Sequence, residues 1–337
     1  MRRLLTALAV LGFASTLLVS PMAGAEAQTV RLSRGYGILY LPLIVMQDQK
    51  LLEKQAAAMG TAGLKTEWLV LDGGNVINDA MMAGNLDIAG TGAPGFITLW
   101  SRARGIPSAE VIGVSGLSAT ALVLTTNNPA IKSLADFKST DKIALPGIKT
   151  SLSAVVLQMM AAKTFGAENF AKLDPLTVSL AHPDAVASLL SGKTEITAHF
   201  TSPPFSYVEL KNPSIWKVAS SVEILGNITL DVVYARKAFS DANPKVMQAF
   251  LAAQEEANAL IASNPKLAAE IYVRSSKVKV SEDEILQILK DPDTRFSTTP
   301  ADMMDYAEFL HRAGTIKKKP ARWQDMFIEA VHAKAGS

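Results

Sequence analysis

Hydroxyl, amide and aromatic side chains gather in this sequence directly after short apolar runs. Arg34 and Tyr36 stand in "RGYGILY", Asn75 in "DGGNV", Thr91 in "GTGAPG", Thr150 and Ser151 in "GIKTS", and His199, Thr201 and Ser202 in "HFTSPPF". Such groups hold a polar molecule by hydrogen bonds, and the glycines among them, Gly35, Gly37 and Gly92, clear side-chain bulk so that a ligand can approach backbone. Several of these positions also fit plainer roles. Asn75, Thr150 and Ser151 suit helix caps, Arg34 suits a surface or an anion, and Tyr36, Tyr40 and Phe205 suit packing or a ligand cover.

Residue types for catalysis are sparser. The four histidines, His182, His199, His311 and His332, lack the i,i+4 spacing and acidic neighbours of a zinc motif. His199 follows an apolar run and is a candidate hydrogen-bonding group for a ligand. There is no G-x-S-x-G elbow, no dinucleotide fingerprint and no cysteine. No catalytic residue, metal site or cofactor is therefore expected.

The elements that must position these residues follow from periodicity. "TVRLS", "KTEWLVL" and "LDIAG" read as strands separated by helices, the pattern of an α/β unit with a parallel sheet. The order then repeats with "DKIALPG", "LTVSL" and "EITAHF"; a shift of 108 residues brings Gly84 onto Gly192 and Met81-Met82 onto Leu189-Leu190. This predicts an internal duplication. "AEVIGVSGLSATALVLTTNN" and "EILGNITLDVVYARKAF" are extended enough to cross between two lobes. The C-terminal region reads as helices, one of them begun by Asn243 as cap and Pro244 as first residue, with Val246, Phe250, Ala253, Ala257 and Leu260 on one face. The expected lobes are 28–118 plus 225–337, and 119–224. In open α/β sheets ligands bind beyond the carboxyl ends of the strands, where helix N-termini favour an anion.

Arg2 and Arg3, an uncharged apolar run and the small residues of "AGAEA" read as a secretory signal over residues 1–27, with the mature chain starting near Gln28. A retained anchor is the rival, since an uncharged run of about 18 residues can span a bilayer. With a net charge of +2 over 337 residues and no long basic block, no nucleic-acid partner is expected.

Together the signal, "GGNVINDAMMAGNLDIAGTG", "HPDAVASLLSGKTEI" and "NPKVMQAFLAAQEEANALIASNP" resemble periplasmic substrate-binding proteins of ABC importers. The resemblance is to the nitrate/taurine/alkanesulfonate-binding branch, SsuA/THI5/NMT1-like. It implies a type II periplasmic-binding fold: two α/β lobes with parallel-type sheets, joined by two hinge segments, with ligand trapped between them. It further implies ligand contacts at Tyr36, Asn75, Thr91, Thr201 and Ser202, and delivery to an ABC permease and ATPase complex. Fungal pyrimidine-synthesising enzymes that resemble this fold carry a cysteine-rich segment, and its absence here favours a binder over an enzyme. The expected protein is a periplasmic monomer, not an enzyme. Its expected ligand is a small organic anion, sulfonate-, nitrate- or carboxylate-like, with an aromatic or heteroaromatic molecule next. An exported enzyme and a ligand-binding partner of a membrane sensor are the rivals.

Overall fold

The computed structural model describes residues 26–276 and 279–337. The signal expected over residues 1–27 lies outside the described residues except for Glu26 and Ala27. The strands are β1 (Thr29–Arg34), β2 (Lys65–Val70), β3 (Ile88–Gly92), β4 (Val111–Ala119), β5 (Val123–Thr126), β6 (Ile143–Leu145), β7 (Thr177–Ser179), β8 (Ala198–Thr201), β9 (Trp216–Ser220), β10 (Asp231–Arg236) and β11 (Arg295–Phe296). They form two sheets, ordered β11-β4-β10-β3-β1-β2 and β7-β6-β8-β5-β9.

The two sheets share one plan. β2-β1-β3 and β7-β6-β8 are parallel triplets, each flanked by an antiparallel strand, β10 in the first sheet and β5 in the second. β5 enters the second sheet directly from β4 of the first, and β10 returns to the first after β9 of the second. Each crossing strand arrives from the opposite lobe, so it runs against the triplet. The sheets are thus parallel in their triplets and mixed overall. The duplicated order expected from the sequence appears as this common topology.

Local sequence explains the elements that bear on the site. β3 reads IAGTG and is wholly buried, lying between β1 and β10. It passes at once into the helix Ala93–Ala103, with Pro94 in the first turn where its missing N–H costs nothing. Gly84 and Gly192, the two superposable glycines, follow the helices Gly74–Met82 and His182–Ser191 with φ of 73° and 60°. They end both helices through a conformation that glycine adopts most readily. The helix Pro244–Ser263 buries Val246, Phe250, Ala253 and Ala257 as predicted, with Leu260 half-buried.

Asn243 does occupy the N-cap of that helix, but its side chain does not cap it. Its amide donates to the Phe239 carbonyl and accepts from Ala27 N–H, while the Glu26 carboxylate takes the N–H groups of Lys245 and Val246 at 3.0 and 3.1 Å. Among the described residues no helix is long and apolar enough to cross a membrane.

Candidate functional site

The carboxyl ends of both triplets face each other, and the lobes meet there. Ile38 N–H donates to the Pro203 carbonyl at 3.0 Å and His182 N–H to Asp72 Oδ2 at 3.0 Å. Thr150 hydroxyl donates to the Asn75 side-chain oxygen across the same gap. Glycines make this approach possible. A Cβ on Gly92 would stand 2.5 Å from Leu152 Cβ, and one on Gly73 would stand 2.6 Å from the Pro146 carbonyl oxygen. The bare "GTGAPG" stretch is therefore where the second lobe's helix Leu152–Phe165 comes to rest. Gly95 serves a different neighbour, since its Cα lies opposite Gly74.

Between the lobes lies a cavity of about 40 Å³, room for about three water molecules. The first lobe lines it with Tyr36, Leu39, Tyr40, Asp72, Thr91 and Asp231, and the second with Pro146, Ser151, Leu152, Ser153, His182 and Ser202. Among the described residues no lysine or arginine lines it.

Its charge-bearing groups are two carboxylates. Asp231 begins β10, opposite Gly92 of β3 and Ser118 of β4, and is fully buried. Neither carboxylate oxygen has a hydrogen-bond partner of good geometry. The Tyr40 hydroxyl approaches it and exerts a lowering pull, yet burial dominates, with the nearby Asp72 adding to it, and pushes its pKa up to about 7. Asp72 keeps part of its surface open to solvent. Burial pushes it up to about 6, against the pull of the His182 and Gly73 backbone N–H groups.

A buried chain of side chains leads to the cavity from behind. Thr125 hydroxyl donates to Glu209 Oε2 at 2.7 Å, and Glu209 Oε1 lies 2.5 Å from His199 Nδ1. His199 Nε2 lies 2.8 Å from His182 Nδ1, and Thr201 Oγ1 stands 3.1 Å from that same nitrogen. Burial, and then the facing His199, hold His182 well below the ordinary histidine pKa. A protonated His199 Nδ1 satisfies Glu209. His199 Nε2 is then an acceptor, His182 Nδ1 donates to it, and His182 Nε2 is left as an acceptor. The Phe205 ring stacks on His182 at 5.2 Å.

The sequence-selected residues fall into three groups. Tyr36, Thr91, Gly92, Ser151 and Ser202 line the cavity, and the Thr91 hydroxyl is buried without a partner. Ser151 also caps the helix behind it by accepting from Ala154 N–H. Gly37, Asn75 and Thr150 lie where the lobes touch, Gly37 with φ 98° and its missing Cβ 3.1 Å from Ser202 Oγ. The third group stands back from the cavity. His199 and Thr201 are buried behind His182. Gly35 makes room for the Tyr40 ring, 2.5 Å from where its Cβ would be. Arg34 is buried and donates to Gln47 Oε1 at 3.0 Å, in a separate crevice shared with Tyr272; burial lowers its pKa.

Sequence reasoning passed over Asp72, Asp231 and Glu209. Asp231 carried a signal, a lone acid opening the otherwise apolar "DVVYA". Glu209 carried none, because its pairing with His199 exists only after folding. Among the described residues no cluster of three or more potential metal ligands occurs.

No curated protein sequence matches the chain. Its fold is similar to that of several solved structures. The alkanesulfonate-binding protein SsuA from Xanthomonas axonopodis pv. citri, bound to MOPS, is 17% identical with a TM-score of 0.65, over 87% of this chain and 96% of that one. The periplasmic nitrate-binding protein NrtA from Synechocystis PCC 6803 is 16% identical with a TM-score of 0.67, over 89% and 84%. The Candida albicans CA3427 gene product, described as having the generic periplasmic binding protein fold, is 17% identical with a TM-score of 0.66, over 87% and 92%. These likenesses bear out the two-lobe periplasmic-binding fold. A model of the NMT1-like family matches residues 23–274, most of the sequence, and the chain belongs to that family.

Proposed function

We propose that the protein is an extracytoplasmic solute-binding protein, exported by its N-terminal signal, that captures a small molecule between its lobes and delivers it to an ABC permease and ATPase. The observation that carries this reading is the cavity between the carboxyl ends of two equivalent strand triplets, walled by both lobes and joined by two crossing strands. Ligand that prefers the closed arrangement would draw the population towards it. The likeness to sulfonate- and nitrate-binding proteins supports the binding role.

The small organic anion expected from helix N-termini has less support in the cavity. A helix N-terminus contributes about 0.3–1 kcal/mol to an anion, up to ~2 in buried settings. Two like charges about 4 Å apart repel by about 4 kcal/mol at an effective dielectric of ~20. Where Asp72 and Asp231 are ionised, repulsion of that order outweighs the dipole. The leading N–H of the helix His182–Ser191 is also already given to Asp72.

The Glu209–His199–His182 chain favours a second reading, an exported hydrolase. That reading lacks an engaged nucleophile: the serine hydroxyls of the cavity lining, Ser151, Ser153 and Ser202, make no hydrogen bond to His182 among the described contacts. Thermal shift and small-angle X-ray scattering over a panel of small solutes test the binding reading. A solute that raises the melting temperature and compacts the protein supports it; turnover of that solute would instead favour the enzyme.

A further inference from the structure

We infer that the cleft takes a small organic cation, a molecule that presents a protonated nitrogen with several N–H donors to Asp231 and Asp72. This rests on the solute-binding reading above and names the chemistry of its ligand.

Three observations converge. Asp231 is fully buried, lines the cavity and leaves both carboxylate oxygens without a good partner. Native proteins seldom leave a buried carboxylate so, because its desolvation is compensated only by donors or an opposite charge. Asp72, also in the lining, receives backbone N–H donors from His182 and Gly73. The hydrogen-bond chain from Glu209 leaves His182 Nε2 as a third acceptor. Three acceptors and no lysine or arginine make a receptor for donors, and two carboxylates make it a receptor for positive charge. Tyr36 and Tyr40 stand beside them, and aromatic faces attract a cation further. A metal ion fits less well, since no cluster of three potential ligands occurs among the described residues.

Binding of a cation must then release protons. Burial raises both carboxyl pKa values, to about 7 and about 6, so part of each is protonated near neutrality before the ligand arrives. Tyr40, Tyr306 and Asp72 are the titratable groups that act on Asp231, and Tyr40, His199 and Asp184 those that act on Asp72, beside the backbone N–H of His182. None of these supplies a permanent positive charge.

The test is calorimetry and thermal shift on the chain from residue 26, using n-butylamine, benzamidine and methylguanidine against butanesulfonate, benzoate and nitrate. At least one cation is expected to bind, with affinity rising roughly tenfold or more from about pH 5.5 to pH 8 as protons are released. Asp231→Asn should abolish that binding, and Asp72→Asn should weaken it, while both variants melt no earlier than the parent without ligand. Stabilisation by the anions alone overturns the cation and leaves the solute-binding reading standing. Silence of both classes overturns the two together, and a cation whose affinity ignores pH or survives Asp231→Asn overturns the assigned site.

Discussion

Asp231 and His182 make opposite demands on the pH of the unliganded protein, and the balance is measurable. Asp231 and Asp72 hold protons at about pH 7 and about pH 6 in the folded state, well above the value near 3.9 of an unfolded aspartate. The folded state therefore gains stability as pH falls towards 5, by at most about 1.4 kcal/mol per pH unit for each group. The share of Asp72 is smaller because it is partly exposed. His182 acts in reverse: its folded pKa lies below that of an unfolded histidine, so stability falls once pH drops below about 6.5. Carboxylates held low in the folded state, such as Asp87 beside Arg31 and Arg236, titrate below this window. With two groups against one, the melting temperature should rise modestly between about pH 7.5 and pH 5.5. Asp231→Asn should flatten the rise. A melting temperature that falls on acidification in the parent would contradict the placement of these protons.

Glu26 shows how one residue from outside the expected mature chain can finish an element. The helix Pro244–Ser263 has 20 residues, and its second and third N–H groups are satisfied only by the Glu26 carboxylate, because the Asn243 side chain is engaged elsewhere. Signal cleavage after Ala25 would keep this cap, and cleavage after Ala27 would remove it. If the chain is exported as proposed, its intact mass is expected to show Glu26 retained, and Glu26→Ala should cost about 0.5–2 kcal/mol in urea unfolding. The helix itself was legible from Pro244 and its apolar face, and so was the strand–helix alternation of both lobes. Those signals are local, set by periods of 3.6 and 2. The cap supplied by Glu26, some 220 residues away, was not. The two crossing segments were legible as well, but the antiparallel pairing of β10 and β5 beside the triplets, which makes both sheets mixed, was not. At the site, Thr91 and Ser202 could be found because they follow apolar strands. The acceptor character of the cleft could not, because it arises from Asp72, His182 and Asp231 meeting only when the lobes pack.

Closure of the whole molecule depends on a few places where backbone meets backbone, and Gly92 isolates one of them. Its φ of −58° is open to any residue, so Gly92→Ala places no strain within the first lobe. The new methyl would instead meet Leu152 Cβ of the second lobe at 2.5 Å. Overpacking of this kind costs about 1–3 kcal/mol, and here the cost falls on the closed arrangement alone. Whatever solute the protein captures, its affinity should drop roughly 5- to 150-fold. The melting temperature without ligand should move far less, and scattering should report a more open particle. The second lobe supplies the control. Leu152→Ala keeps the offending Cβ and should not rescue Gly92→Ala, whereas Leu152→Gly removes it. That residue is the first of its helix, where the glycine backbone itself costs about 0.5–1 kcal/mol; its half-buried side chain also lines the cavity, so the double variant should close again and recover part of the lost affinity. Rescue by Leu152→Ala, or none by Leu152→Gly, would mean that Gly92 acts within its own lobe and that closure is limited elsewhere.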